Sequence, residues 1–183
     1  RIRGVGINET RIGFLHALRH MGGKIDIQNI QNGPEPIADL LIESSKLKGI
    51  TLNTKLVANM IDEMPAFFIA ASLAEGTTIV KDAEELRAKE SDRLEAMANS
   101  LGSLGVKFKL NQDGIVIHGL GDKGQFKASE INSLGDHRIA MASSIASLRA
   151  DGEVRIVDCD NVRTSFPSFI EICGDIGIKI KEQ

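Results

Sequence analysis

The apolar and polar positions of the chain repeat one pattern three times: an amphipathic helix, a glycine, and a short alternating strand that carries lysine. Apolar residues three and seven positions apart form a stripe along one face of such a helix. The three copies span residues 11–27, 94–110 and 169–181. Because many helices end at a left-handed residue, Gly22, Gly105 and Gly177 are predicted to follow the three helix ends.

Two further segments are apolar on nearly every side, a pattern typical of helices in a protein interior. They run over residues 65–73 and 139–148, and each precedes a similar turn and strand. Short β-rich stretches near residues 39–42, 49–52 and 115–117 lie between the two kinds of helix. The pattern therefore predicts a duplicated unit of two helices and about four strands.

The two kinds of helix are unequal in number, since three amphipathic helices accompany two buried ones. The phase of the repeat predicts another apolar helix just upstream of Arg1. The chain opens without Met or a leader sequence, so we expect it to be a piece of a longer protein. Chance similarity among common helix-glycine-strand units is the alternative explanation of the repeat.

Composition narrows the class of protein. With 42% hydrophobic and 26% charged residues, the chain of 183 residues is expected to fold around a core. A net charge of −3 argues against nucleic acid and membrane surfaces as partners, and the absence of Trp and Tyr argues against a stacking platform. Cys159 and Cys173 have no zinc-ligand spacing and suggest buried thiols of a cytoplasmic protein.

The densest charged cluster is Arg87-Ala88-Lys89-Glu90-Ser91-Asp92-Arg93, just before the second amphipathic helix. Ser91 and Asp92 are typical of a helix N-terminus, so a solvated helix start is one interpretation. Lys89 and Arg93 are four residues apart, which predicts a shared helical face where both could meet an anion. Arginine suits carboxylate or phosphate ligands.

Two other clusters precede the buried helices. His137 and Arg138 open one of them and favour an anion at its positive end, although Asp136 can also be a simple cap. Asp62 precedes the other helix and could likewise only cap it. Because the repeat makes these helices equivalent, Asp62 is expected near His137 and Arg138. Such a set suits proton transfer on an anionic substrate, but its spacing does not name the reaction.

These clusters resemble the 5-enolpyruvylshikimate-3-phosphate (EPSP) synthase family. Lys89-Glu90-Ser91-Asp92-Arg93 followed by Gly135-Asp136-His137-Arg138 is highly specific in that order. The matching segments are residues 8–14, 61–65, 85–93, 135–142 and 164–167. The resemblance implies an α/β (α+β) fold of repeated βαβαββ units, with buried parallel helices inside and sheets outside.

The resemblance also implies that residues 1–183 are one domain, the C-terminal half of a two-domain, monomeric, cytoplasmic enzyme that lacks its N-terminal domain here. The family transfers the enolpyruvyl group of phosphoenolpyruvate to the 5-hydroxyl of shikimate 3-phosphate and releases phosphate. No metal or organic cofactor is expected. The half chain is expected to be inactive, since the shikimate phosphate binds mostly to the other domain.

Carried over from the family, the acid–base groups are Asp62, which would accept the hydroxyl proton, and Glu90 and His137, which would lie near the enolpyruvyl carbons. Glu90 would donate or relay a proton. The expected binding residues are Asp62 and Lys89 for shikimate 3-phosphate, and Arg93 and Arg138 for phosphoenolpyruvate.

Two departures from the family pattern leave contacts open. Thr164 stands where some members have lysine, with Arg163 one place earlier, and Glu85 stands where some members have asparagine. The alternatives are a related enolpyruvyl transferase that acts on UDP-N-acetylglucosamine, and a non-catalytic anion-binding module of the same fold. The clusters at residues 89–93 and 136–138 favour the shikimate branch.

Overall fold

The computed structural model describes residues 1–181, and over these residues the strands form three small sheets. The strands are β1 (Ile2–Gly6), β2 (Lys24–Gln31), β3 (Ile37–Glu43), β4 (Thr77–Val80), β5 (Lys107–Asn111), β6 (Gly114–His118), β7 (Ser129–Asn132) and β8 (Val154–Val157). The first two sheets are antiparallel, in the orders β1-β3-β2 and β4-β6-β5, whereas β7 and β8 pair in parallel.

Helices lie between these strands. They are α1 (Gly13–His20), α2 (Thr54–Asn59), α3 (Met64–Ser72), α4 (Arg93–Ser103), α5 (His137–Ala146), α6 (Asn161–Ser165) and α7 (Phe169–Asp175), with 3-10 helices at Glu84–Ala88 and Ser147–Arg149. Among residues 1–181, none of the helices has the length and apolar character needed to cross a bilayer.

The predicted repeat is confirmed by the topology. β1-α1-β2-β3 and β4-α4-β5-β6 are the same unit: a strand, an amphipathic helix and a hairpin whose second strand lies in the middle of the sheet. The glycines after α1, α4 and α7 all have left-handed φ, 93° at Gly22, 81° at Gly105 and 91° at Gly177, as the helix-ending role requires. β8 and α7 begin a third unit.

The core lies around α3 and α4. The α3 side chains Phe67 and Phe68 are fully buried, as are Leu94, Met97 and Leu101 on the predicted stripe of α4. Burial of such side chains stabilises each by about 1.5–3 kcal/mol relative to exposure. Because α3 also packs against α5, the N-termini of the three helices α3, α4 and α5 are held near one another.

Three details of the sequence prediction were wrong. Residues 49–52 do not form a regular strand: Lys48 and Thr51 make isolated bridges to Glu75 and Ile79. Here a Cβ at Gly49 would lie 2.3 Å from the Thr77 carbonyl oxygen, so the two backbones approach too closely for a side chain.

Residues 178–181, predicted to end the third copy as a strand, are not one. In the first two units the corresponding strand pairs only with the second strand of its hairpin. No described residue supplies that second strand in the third unit, and an extended segment without a backbone partner does not become part of a sheet.

The second apolar helix, α5, is only partly interior. Ile145 is 42% exposed and Leu148, in the 3-10 helix that follows, is 56% exposed. A cleft of about 240 Å³ lies between Leu148 and Val154 on one side and Ile178 on the other. The face of α5 that carries Ile145 is therefore uncovered, whereas its other faces pack against α3, α4 and α6.

Candidate active site

Asp136 is the N-cap of α5 and is completely buried. Its Oδ1 accepts a hydrogen bond from the Arg138 amide at 3.0 Å, while Oδ2 accepts from Arg93 Nε at 2.7 Å and from Ser91 Oγ at 3.1 Å. Burial alone would raise the pKa of Asp136, but the hydrogen bond and charge of Arg93, with the two other donors, outweigh burial and hold that pKa below its ordinary value.

The turn before Asp136 has an unusual backbone. Leu134 has φ of 54° and Gly135 has φ of 67°, both in the left-handed region that is unfavourable for leucine. The side-chain amide of Asn161 donates to the Gly135 carbonyl at 2.5 Å, and the Gly135 amide donates to the Asp158 carbonyl. These contacts with the segment after β8 hold the start of α5 in place.

Arg93 is the first residue of α4 and its side chain is 1% exposed. Besides the Asp136 contact, its Nη2 pairs with Glu90, and its Nη1 lies 3.6 Å from Asp62 Oδ1. Arg93 therefore links the three segments that precede α3, α4 and α5. A buried arginine is tolerated here because carboxylates surround its guanidinium.

Asp62 lies in the turn before α3 and does not cap that helix, whose N-cap residue is Glu63. Its Oδ2 is 3.2 Å from Arg138 Nη2 and 3.4 Å from Arg11 Nη2. Arg138 Nη1 also donates to the Asp62 carbonyl at 3.4 Å. The prediction that Asp62 and Arg138 meet is confirmed, and the interpretation of Asp62 as a simple cap is wrong.

Lys89 does not share a helical face with Arg93, so that prediction was wrong. The 3-10 helix ends at Ala88, Lys89 is extended, and α4 begins only at Arg93 because Asp92 caps it through the Glu95 amide at 3.0 Å. Lys89 Nζ instead donates to Glu85 Oε1 at 2.7 Å.

His137 begins α5 and is half-buried. Among residues 1–181, neither a hydrogen bond nor an ion pair joins its ring to the network around Arg93. Direct contacts thus join four of the expected site residues: Asp62, Glu90, Arg93 and Arg138. His137 only precedes Arg138 in the chain.

Two members of the network were not singled out as site residues from the sequence. Arg11 contacts both Asp62 and Glu63, the latter at 3.3 Å, and Asp136 is more than a cap because it also pairs with Arg93. Arg11 lies inside the matched segment 8–14, which was the available signal.

Two buried N–H donors of the network, Arg93 Nη1 and Arg138 Nε, have no hydrogen-bond partner in the described part of the chain. Three guanidinium groups (Arg11, Arg93 and Arg138) face the carboxylates of Asp62, Glu63, Glu90 and Asp136, which leaves one net negative charge. An anion would therefore reach these buried N–H donors only by displacing the protein's own carboxylates.

Comparisons with known proteins show which family the chain resembles. The family model described as EPSP synthase (3-phosphoshikimate 1-carboxyvinyltransferase) matches residues 1–173. The chain is 48% identical over 180 residues to the 3-phosphoshikimate 1-carboxyvinyltransferase of Hydrogenovibrio crunogenus, covering 98% of this chain and 40% of that protein. Its counterpart in Dichelobacter nodosus is 47% identical over 183 residues, with 100% and 41% covered.

The solved structure of EPSP synthase from Acinetobacter baumannii superimposes with a TM-score of 0.95 at 43% identity, covering 99% of this chain and 42% of that one. This superposition confirms the fold expected from the resemblance. The chain spans about 40% of the length of the curated relatives that it matches. Because the family model matches nearly the whole chain, the chain belongs to the EPSP synthase family.

Proposed function

We propose that this chain is the C-terminal domain of an enzyme that transfers the enolpyruvyl group from phosphoenolpyruvate to the 5-hydroxyl of shikimate 3-phosphate. The observation that carries the proposal is the Asp62 carboxylate, held between Arg93 and Arg138. This arrangement supports the proposal because a carboxylate can accept a proton and the two cations suit phosphate and carboxylate. The enzyme would be a cytoplasmic transferase of the shikimate route to aromatic amino acids.

In this proposal Asp62 and Glu90 divide the proton transfers. Glu90 gives a proton to the methylene of phosphoenolpyruvate, which makes the neighbouring carbon electrophilic. The 5-hydroxyl oxygen bonds to that carbon while Asp62 takes the hydroxyl proton. Glu90 then takes back a proton from the new methyl group as the carbon–oxygen bond to phosphate breaks. The phosphate leaves with the electron pair of that bond and takes the proton held by Asp62, which restores both carboxyl groups. General acid–base groups of this kind typically contribute 10²–10⁴-fold each.

Arg93 and Arg138 would hold the phosphate and carboxylate of phosphoenolpyruvate during these steps. Their unfilled donors, Nη1 and Nε respectively, support this role. A substrate anion there replaces contacts that Asp62 and Glu90 now make, and so leaves those carboxylates available for proton transfer. Lys89 and Asp62 would bind shikimate 3-phosphate, and His137 would lie near the enolpyruvyl carbons.

We also propose that residues 1–183 form one domain and that the rest of the enzyme completes the repeat and the active site. The exposed Ile145 and Leu148 fit the additional apolar helix that the repeat predicts upstream of Arg1. The cleft beside Ile178 fits a strand that would complete the third unit. The net negative charge of the network fits a site whose remaining cations belong to the other domain.

Replacing Asp62 with alanine in the full-length enzyme should lower kcat by about 10²–10⁴-fold, because the proton acceptor is lost. Phosphate release from phosphoenolpyruvate and shikimate 3-phosphate is the measurement. Glu130→Ala is the matched control, since Glu130 forms an exposed pair with Arg155 and neither residue belongs to the network.

Near-normal turnover of the Asp62→Ala enzyme would remove Asp62 from the mechanism. Running the wild-type enzyme with UDP-N-acetylglucosamine as the acceptor tests the alternative transferase. Turnover with that acceptor and none with shikimate 3-phosphate would contradict the proposed substrate.

A further inference from the structure

Arg87 belongs to the same charged segment as Glu90 and Arg93, but its contacts are of another kind. Its Nε donates to the Gln112 carbonyl at 2.8 Å, Nη2 to the Asn111 carbonyl at 2.9 Å, and Nη1 to Asp92 Oδ2 at 2.6 Å. All three nitrogens are thus engaged by oxygen atoms of the protein. Arg87 is therefore not a further anion-binding residue of the site.

The partners of Arg87 lie in two different elements. The carbonyls of Asn111 and Gln112 are at the turn that joins β5 to β6. Asp92 is the N-cap of α4, with Oδ1 accepting from the Glu95 amide while Oδ2 accepts from Arg87. Arg87 consequently ties the start of α4 to the hairpin of the second sheet.

The residues between these contacts are held by side chains rather than by backbone hydrogen bonds. In the described part of the chain, the backbone amides of residues 89–92 donate no backbone hydrogen bonds. The ends of the segment are fixed by Leu86, which is fully buried in the core, and by the Arg87–Asp92 pair. Between these ends, Ser91 Oγ donates to Asp136. Glu90 lies inside this span and Arg93 follows it directly.

We propose that Arg87 is a positioning residue: by joining the β5–β6 turn to Asp92, it sets where Glu90 and Arg93 stand relative to Asp62 and Arg138. The inference rests on the proposed function and extends it to a residue outside the substrate-contacting set. A guanidinium suits this role because its planar fork reaches several acceptors in fixed directions, whereas lysine presents a single nitrogen.

The test compares Arg87→Gln, Arg87→Lys, Asp92→Asn and the Arg87→Gln/Asp92→Asn double variant in the full-length enzyme. Both Arg87 variants should lower kcat/KM for phosphoenolpyruvate by about 10–100-fold, the size expected from misplaced catalytic groups. Asp92→Asn retains an oxygen to cap α4 but loses the ionic partner, so it should show a similar loss. The double variant should lose no more kcat/KM than the more impaired single variant, because both substitutions remove the same Arg87–Asp92 contact.

The kinetic constants separate positioning from folding. Circular dichroism at the assay temperature measures the folded fraction, and loss of folded enzyme lowers the apparent kcat without changing either KM. Misplacement of Arg93 should instead raise KM for phosphoenolpyruvate more than KM for shikimate 3-phosphate. Arg155→Gln is the matched control and should stay within about twofold of wild type, since its pair with Glu130 is exposed and neither residue belongs to the network.

This inference alone would be overturned if the wild-type enzyme is active and both Arg87→Gln and Asp92→Asn keep a kcat/KM near that of wild type. Fully additive losses in the double variant, or losses that match the unfolded fraction, would also overturn it. A folded wild-type enzyme without turnover on these substrates would overturn the proposed function and this inference with it.

Discussion

At the scale of single residues, Asp136 is the carboxylate on which the ion network depends. Asp136→Asn should lower the free energy of unfolding by about 3–5 kcal/mol, because it removes the only fully buried carboxylate among the described partners of the buried Arg93 guanidinium. Urea unfolding of the chain measures the change. Glu130→Gln removes a carboxylate from a pair in which both side chains are more than half exposed, and should cost less than about 1 kcal/mol.

Equal losses in the Asp136→Asn and Glu130→Gln variants would contradict this assignment of the buried pair.

The stabilisation that Asp136 contributes should also depend on pH. The pKa of Asp136 in the folded chain lies below its ordinary value of 3.8, so in acid the unfolded chain binds the proton more readily.

The stabilisation from Asp136 should therefore be complete above about pH 5 and disappear as the pH falls through the folded-state pKa, below 3.8. The difference in unfolding free energy between wild type and Asp136→Asn should shrink over that range. Unfolding at a series of pH values from neutral to acid measures it, and a difference that grows in acid would contradict the lowered pKa.

At the scale of elements, the sheets depend on close backbone approaches that the apolar pattern does not reveal. A Cβ at Gly114 would lie 2.1 Å from the Val80 carbonyl oxygen, so Gly114→Ala must separate β6 from β4 and should cost about 1–3 kcal/mol. Gly6→Ala in β1 is the matched control, since nothing lies within 4 Å of the added Cβ and the φ is not left-handed.

Gly6→Ala should be neutral or stabilising by up to about 1 kcal/mol, because alanine restricts the unfolded chain more than glycine does. Thermal or urea unfolding of both variants is the measurement. The explanation for Gly114 fails if its variant is as stable as the Gly6 variant.

At the scale of the whole molecule, the two-domain proposal implies that this chain carries only part of the site. The network has one net negative charge, and Ile145 and Leu148, at the opposite end of α5 from the network, are exposed. The 183-residue chain should therefore release no phosphate from phosphoenolpyruvate and shikimate 3-phosphate, whereas the full-length enzyme should. A normal rate from this chain alone would contradict the two-domain proposal and leave the chemistry of Asp62 standing.

Local patterns in the chain were enough to predict much of the fold. The stripe of α4, the interior helix α3 and the left-handed glycines after α1, α4 and α7 depend on neighbours three to seven residues away, which are visible in the sequence. The prediction failed where an element needs a distant partner: among the described residues, no strand pairs with residues 178–181 and no helix covers the face of α5 at Ile145.

The candidate site divides in the same way. The order of charged residues along the chain pointed to Asp62, Glu90, Arg93 and Arg138, but it could not show which charges touch. The Arg93–Asp136 bond joins residues 43 positions apart and the Arg138–Asp62 bond joins residues 76 apart. Packing of α3, α4 and α5 brings these pairs together, because long-range ion pairs form only where the helix ends already meet. Residue order thus identified the family, whereas helix packing determined the pairing of its charges.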